Sequence, residues 1–179
     1  MPDAPDDGAL ERLRRALHGL ERVVVAFSGG ADSSLLAFVA HTTLGPRRVT
    51  CVTAVSPSLA PEELDDCRAL ASEWGLSHLE RASAELEDPA YARNGTDRCY
   101  HCKSSLMDVL EPLAAERGAR FPLVEAGLTK HEVRHLSRRL GLRTWDKPAA
   151  ACLASRVPYG TPVALSTLRA VAAAESALI

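Results

Sequence analysis

The chain has 179 residues, 46% of them apolar and 25% charged, enough for one compact domain with a sizeable core. A formal charge of -2 and an aromatic content of 4% exclude a strongly basic or base-stacking surface, so no nucleic-acid partner is expected. No apolar run approaches the roughly eighteen residues of a membrane span, and the acidic start Met1-Pro2-Asp3-Ala4-Pro5-Asp6-Asp7 is unlike an export signal, so a cytoplasmic protein is expected.

Residues 8–19 read as an amphipathic helix, with Leu10, Leu13, Leu17 and Leu20 at helical spacing. Val23-Val24-Val25-Ala26-Phe27 is continuously apolar and predicts a buried parallel strand; 49–55 predicts a second. Helices are predicted over 33–44, stopped by Gly45-Pro46, and over 62–74, closed by Gly75. Residues 57–61 read as loop and 78–82 as a third strand. This alternation predicts an α/β fold with a doubly wound, mostly parallel sheet. Further along, 88–97 reads as loop, 102–117 as helix and 121–124 as strand. Thr129 and Glu132 form a capping box for a helix ending at 140. Prolines among small residues make 145–162 a loop, and 166–178 is predicted helical. The expected organisation is one α/β domain over 1–145, then a cysteine-containing loop and the start of a truncated C-terminal region over 146–179.

Ser28-Gly29-Gly30-Ala31-Asp32-Ser33 stands between the first strand and its helix. Glycines there let the backbone turn tightly and approach a phosphate closely. The helix start adds free N–H groups and the positive end of its dipole. Ser28 and Ser33 contribute hydroxyls, and Asp32 either caps the helix or helps to hold Mg²⁺. The glycine spacing fits neither a Walker A loop nor a dinucleotide fingerprint. The turn resembles the PP-loop superfamily of ATP pyrophosphatases. That resemblance implies cleavage between the α- and β-phosphates, with AMP passing to an oxygen of the substrate. It implies ATP contacts from Ala26, Ser28, Gly29, Gly30, Asp32, Ser33 and Val55.

Five cysteines, an odd number, argue against a disulfide framework and for reactive or metal-binding thiols. Cys51 and Cys67 read as core fillers. Cys99-Tyr100-His101-Cys102 brings two sulfurs to one point, which suits zinc, an iron–sulfur cluster or a redox pair. Cys152 sits among small residues near Lys147 and Arg156, cations that lower a thiol pKa. Arg134, Arg138 and Arg139 read as the solvated face of their helix, and His131 with His135 as a surface pair rather than a zinc site.

Together the phosphate turn, Asp97-Arg98-Cys99-Tyr100-His101-Cys102-Lys103, Leu123-Val124-Glu125-Ala126-Gly127-Leu128-Thr129-Lys130, Trp145-Asp146-Lys147-Pro148 and Ala151-Cys152-Leu153-Ala154-Ser155-Arg156 resemble, in this order, the LarE-type enzymes. These are ATP-dependent sulfur transferases that make the thiocarboxylates of a nickel-pincer cofactor. The resemblance implies a small-molecule substrate, pyridinium-3,5-biscarboxylate mononucleotide, with ATP and Mg²⁺, and a homo-oligomer in the full-length form. It implies catalytic roles for Cys152, Arg156 and Asp32, and substrate contacts from Lys103, Ser155 and Arg156. The sulfur then comes either from Cys152 itself or from a [4Fe–4S] cluster held by Cys99, Cys102 and Cys152. A tRNA-thiolating enzyme and a non-catalytic nucleotide-binding remnant are the competing readings, and the weak charge disfavours the first. One departure from the family pattern concerns Ala119-Arg120-Phe121, which bridges directly where a strand and a DGTN-like loop are expected. The chain therefore reads as shortened near 118–122, and it stops at Ile179 where the family continues.

Overall fold

The computed structural model describes residues 6–114 and 119–177. In chain order these form helix α1 (Asp6–Leu17), strand β1 (Val23–Ala26), helix α2 (Ala31–Leu44), strand β2 (Val49–Val55), helix α3 (Pro61–Trp74) and strand β3 (His78–Ala82). There follow helices α4 (Pro89–Ala92), α5 (Arg98–Leu110), α6 (Pro122–Glu125), α7 (Lys130–Arg139) and α8 (Leu165–Ser176).

The valine-rich strands pair in parallel in the order β1-β2-β3, with Val25 beside Cys51 and Cys51 beside His78. This is the predicted α/β architecture. Thr53 locks the three strands together: its buried hydroxyl donates to the Phe27 carbonyl at 2.7 Å and lies 2.8 Å from His78 Nε2. Burial lowers the His78 pKa, which keeps the ring neutral and suited to that bond. The main core gathers Leu13, Leu17, Phe27, Leu35, Cys51, Leu70 and Leu136. Cys51 and Cys67 are wholly buried as core fillers, and burial pushes the Cys51 thiol up to about 12.

The capping box on α7 is present as read. Glu132 accepts the Thr129 N–H at 2.8 Å and the Thr129 hydroxyl at 2.9 Å, and pairs with Arg12 of α1 at 2.7 Å. These partners, the Thr129 backbone N–H foremost, hold the Glu132 carboxyl down to about 2, from an ordinary 4.5. A depressed carboxylate pKa contributes stability fully above the ordinary value and loses it as pH falls through the folded one. Acid titration followed by circular dichroism is therefore expected to show loosening of α7 between those two pH values. Glu132→Gln should remove that step, and its persistence in the variant would sink the assignment.

Three local expectations are corrected. Residues 121–124 are helical, not a strand. Four apolar residues do not distinguish the two by period, and Pro122 at the first helical position pre-sets a helical φ. Glu125 completes the turn by accepting the Phe121 N–H at 3.1 Å, while Phe121 and Val124 stay exposed. Within 88–97, α4 forms because the Asp88 carboxylate caps it, accepting from the Ala90 N–H at 2.8 Å. The cysteine helix α5 spans Arg98–Leu110 rather than 102–117, ending in a 3₁₀ turn over Glu111–Leu113 where Pro112 cannot continue it. Residues 115–117 of the predicted helix lie outside the described residues.

A second, smaller core joins Tyr91 of α4, Leu153 and Ala154 of a 3₁₀ turn over Leu153–Arg156, and Val163 and Leu168 at α8. It seats the segment following Cys152 upon α4 and α5.

Candidate functional site

The site begins where β1 ends. Gly29 adopts a left-handed φ of 68°, and the chain then enters α2 at Gly30 without a side-chain cap. Gly29 is tightly housed: a Cβ there would stand 3.0 Å from Cys67 Sγ and 3.6 Å from Leu70 Cδ1. Ser33 closes the turn upon itself, its hydroxyl 3.1 Å from Ser28 Oγ and accepting the Ser28 N–H at 3.3 Å. The first N–H groups of α2 thus remain for an outside anion. Asp32, in the first turn of α2, pairs with Lys130 from α7.

The cysteine segments lie on α5 and at the start of the Leu153–Arg156 turn. Cys99 and Cys102 share one face of α5 at i,i+3 spacing. Cys102 is half-buried; burial, then the nearby Glu85 carboxylate and the sulfurs of Cys152 and Cys99, push its thiol up to about 11. Its Sγ lies 3.8 Å from Glu85 Oε2, and Glu85 accepts the Ser56 hydroxyl at 2.6 Å. Cys99 and Cys152 are exposed. His101 turns away to Asp88 at 3.1 Å and Asp97 at 3.3 Å. Among the described residues no three His, Cys, Asp or Glu side chains are gathered as a metal-binding group.

Asn94, wholly buried with a left-handed φ of 56°, is the hub that sequence reasoning missed. Its amide nitrogen serves the carbonyls of Val157, Pro158 and Thr161 at 3.3, 2.9 and 2.8 Å. Its oxygen accepts from Arg98, whose same nitrogen also donates to the Ala154 carbonyl at 2.9 Å. An Asn-Gly pair signals a turn, but nothing local announces partners sixty residues away. Asn94→Ala leaves buried acceptors unpaired and is expected to cost about 2–3 kcal/mol. It should also open residues 152–161 to proteolysis, and unchanged denaturant stability would overturn its role as a hub.

A cavity of about 630 Å³ unites the two halves. Ser28, Gly30, Asp32 and Ser33 line one side and the run from Lys147 to Cys152 another, with Lys130, Arg134 and Glu63 between them. Of the residues singled out from sequence, Ser28, Gly30, Asp32, Ser33 and Cys152 therefore meet in one place. Gly29 lies buried beneath, and Ala26 and Val55 stand at the carboxyl ends of their strands without lining the cavity. Cys99, Cys102, Lys103, Ser155 and Arg156 do not line it either. Arg156 instead donates to the Ala151 carbonyl at 2.7 Å and pairs with Glu175 of α8 at 2.5 Å, so it braces the Cys152 segment. Ser155 does likewise, donating to the Cys152 carbonyl at 2.7 Å.

Arg134 read as part of a solvated face, yet it lines the cavity and holds the carbonyls of Trp145 and Lys147 at 2.9 and 3.0 Å. Its i,i+4 spacing from Lys130 put both cations on one side of α7, a signal that was legible. His131 and His135 are stacked on each other with centroids 6.1 Å apart.

Comparison with known proteins separates the turn from the whole. Residues 11–97 match the NAD synthase family. A GMP synthase of Chlamydia muridarum is 32% identical over 92 residues, covering 47% of this chain and 18% of that protein. A pyridinium-3,5-bisthiocarboxylic acid mononucleotide synthase of Lactiplantibacillus plantarum is 35% identical over 193 residues, covering 93% of this chain and 70% of that enzyme. The chain belongs to the LarE-type family of the PP-loop superfamily. An uncharacterized protein of Synechocystis sp. is 42% identical over 196 residues, covering 94% of this chain and 73% of its own length. Both long alignments exceed the 179 residues of this chain, so both relatives carry residues that it lacks within the matched span.

Proposed function

We propose that the protein is an ATP-dependent sulfur transferase that converts a carboxylate of pyridinium-3,5-biscarboxylate mononucleotide into a thiocarboxylate, for a nickel-pincer cofactor. The observation that carries this reading is the single cavity with the phosphate turn on one side and Cys152 on another. The Lactiplantibacillus relative supports it by the product in its name.

The chemistry follows from what each side offers. The substrate carboxylate attacks the α-phosphorus of ATP, the bond to the bridging oxygen breaks, and pyrophosphate leaves with that electron pair. The first N–H groups of α2 and the hydroxyls of Ser28 and Ser33 receive its charge. Asp32 fits Mg²⁺, a hard cation bound by a carboxylate and phosphate oxygens, once Lys130 turns to the phosphates. The Cys152 thiolate then attacks the acyl-adenylate and expels AMP, leaving a thioester. Loss of the Cα proton with cleavage of the Cβ–S bond leaves the thiocarboxylate on the substrate and dehydroalanine at 152. No outside oxidant or reductant enters.

A second sulfur source belongs to the same reading: the sulfurs of Cys99 and Cys152 lie near enough to Cys102 to raise its thiol pKa, although among the described residues the three are not gathered as a metal-binding group. Three thiolates suit a [4Fe–4S] cluster, which when bound supplies an exchangeable sulfide and spares the cysteine. All five cysteines are free, in keeping with a reducing cytoplasm. No helix of the described residues is long and apolar enough to cross a membrane. A homo-oligomer belongs to the same reading.

The test is substrate-dependent pyrophosphate release, with intact mass measured before and after. Loss of one H₂S from the protein supports sacrifice of Cys152. An unchanged mass with thiolated product and bound iron supports the cluster. ATP binding without pyrophosphate release would replace both with the nucleotide-binding remnant.

A further inference from the structure

Lys147 opens the exposed run 148–152 that leads to Cys152. Its own side chain is only 17% exposed, because its ammonium lies between two carboxylates of α3, 2.8 Å from Glu63 Oε2 and 2.6 Å from Asp66 Oδ2. Arg143 neutralises the rest of this face, at 2.6 Å from Asp66 and 3.0 Å from Glu73. Burial works against the charge on Lys147, but the bonds to Asp66 and Glu63 prevail and its pKa is raised.

The placement joins three elements. A Cβ on Gly29 would stand 3.6 Å from Lys147 Nζ, so the ammonium lies directly against the phosphate turn. The carbonyl of Lys147 accepts from Arg134 at 3.0 Å, and its N–H donates to the Thr144 carbonyl at 3.2 Å. At the far end of the run, the Leu153 N–H donates to the Ser58 carbonyl at 2.9 Å, and the Leu153 side chain is buried. The exposed run is thus pinned at both ends, and the near pin is ionic. A hydrophobic side chain would bury as well, but it would not choose between positions along α3.

We propose that Lys147 is a positioning residue for Cys152: its ion pair with Glu63 and Asp66 fixes the start of the run 148–152 against the phosphate turn, and so sets where the thiol meets the activated substrate. The proposal rests on the sulfur-transfer reading for its catalytic consequence, though not for its structural one. Misplacing a reacting group by an ångström costs on the order of a hundredfold in rate, so a freed pin shows in the sulfur step.

Three variants test it. Lys147→Met leaves Glu63 without its cation and Asp66 with Arg143 alone, beneath the phosphate turn, so KM for ATP rises. Adding Glu63→Gln removes part of the excess charge and should regain much of the ATP affinity, while the run remains unpinned. In this double variant, sulfur transferred per pyrophosphate released should fall by about 30-fold. Alkylation of Cys152 by iodoacetamide, located by peptide mass, should quicken by about tenfold as the run samples open states. Lys147→Arg, which keeps the charge, should recover most of both. A double variant whose Cys152 alkylates at the wild-type rate would overturn the proposal, as would equal loss of both half-reactions in all three variants. If the double variant does not fold, Glu63→Gln alone weakens the same pin and should quicken alkylation by about threefold, an unchanged rate again counting against the role. Alkylation needs no sulfur transfer. A wild-type protein that transfers none, with the alkylation shift intact, would remove the proposed reaction and leave the pin standing.

Discussion

Cys152→Ser is expected to abolish thiolated product, by at least about a thousandfold. The hydroxyl has no sulfur to give and is a far weaker nucleophile than a thiolate at neutral pH. The adenylation side of the cavity is built from other residues, so activation of the substrate still begins. It then stalls, because the acyl-adenylate meets no thiol, and pyrophosphate should appear as a burst without turnover. The exposed position of Cys152 leaves room for the hydroxyl without strain. Both sulfur sources need Cys152, so continued thiolation by Cys152→Ser would refute the pair of them together. Cys99→Ser separates them. It should leave a sacrificial Cys152 working and should remove a cluster that depends on three thiolates.

Gly29→Val is expected to damage the fold and ATP binding at once. The left-handed φ of 68° costs a non-glycine residue about 1–2 kcal/mol. The new side chain would also press upon Cys67 Sγ, 3.0 Å from the position of its Cβ. Overpacking of that kind adds about 1–3 kcal/mol. A melting temperature lower by roughly 5–15 °C is expected for a chain of this size. Gly30→Ala makes the instructive contrast. Its Cβ would find nothing nearer than Ser28 Oγ at 3.6 Å, so the fold should hold while the methyl group obstructs the approach of a phosphate. Equal thermal stability in Gly29→Val and wild type would mean that the turn is not built as described.

The parts of this molecule that were legible in its sequence are those written locally. The valine runs of β1 and β2, the glycines between β1 and α2, and the Thr129–Glu132 box each declare themselves within a few residues, and each is present. The apolar run 121–124 misled because its length fits either element, and Pro122 decided for helix. Arg134 misled for a different reason. Helical spacing shows which residues share a side, but only tertiary packing shows whether that side meets water or a cavity. The family resemblance gives Arg156 to the substrate, and no local signal announces its partners in the fold, among them the Ala151 carbonyl and Glu175. The convergence of Ser28 and Cys152 on one cavity joins positions far apart in sequence, and only the family resemblance hinted at it.

Several of the bonds that hold residues 145–161 share one form. Side chains of Asn94, Arg98 and Arg134, all outside the segment, donate to its main-chain carbonyls. A carbonyl is the same for every amino acid, so part of the path of this stretch is encoded by residues outside it, beside the pins that Lys147 and Arg156 supply from within. Ala149, Ala150 and Ala151 should consequently accept a wide range of replacements without rerouting the chain. A library randomised at those three positions would vary the wall of the cavity beside Cys152 while the thiol kept its address, which makes them natural places to alter what the cavity admits.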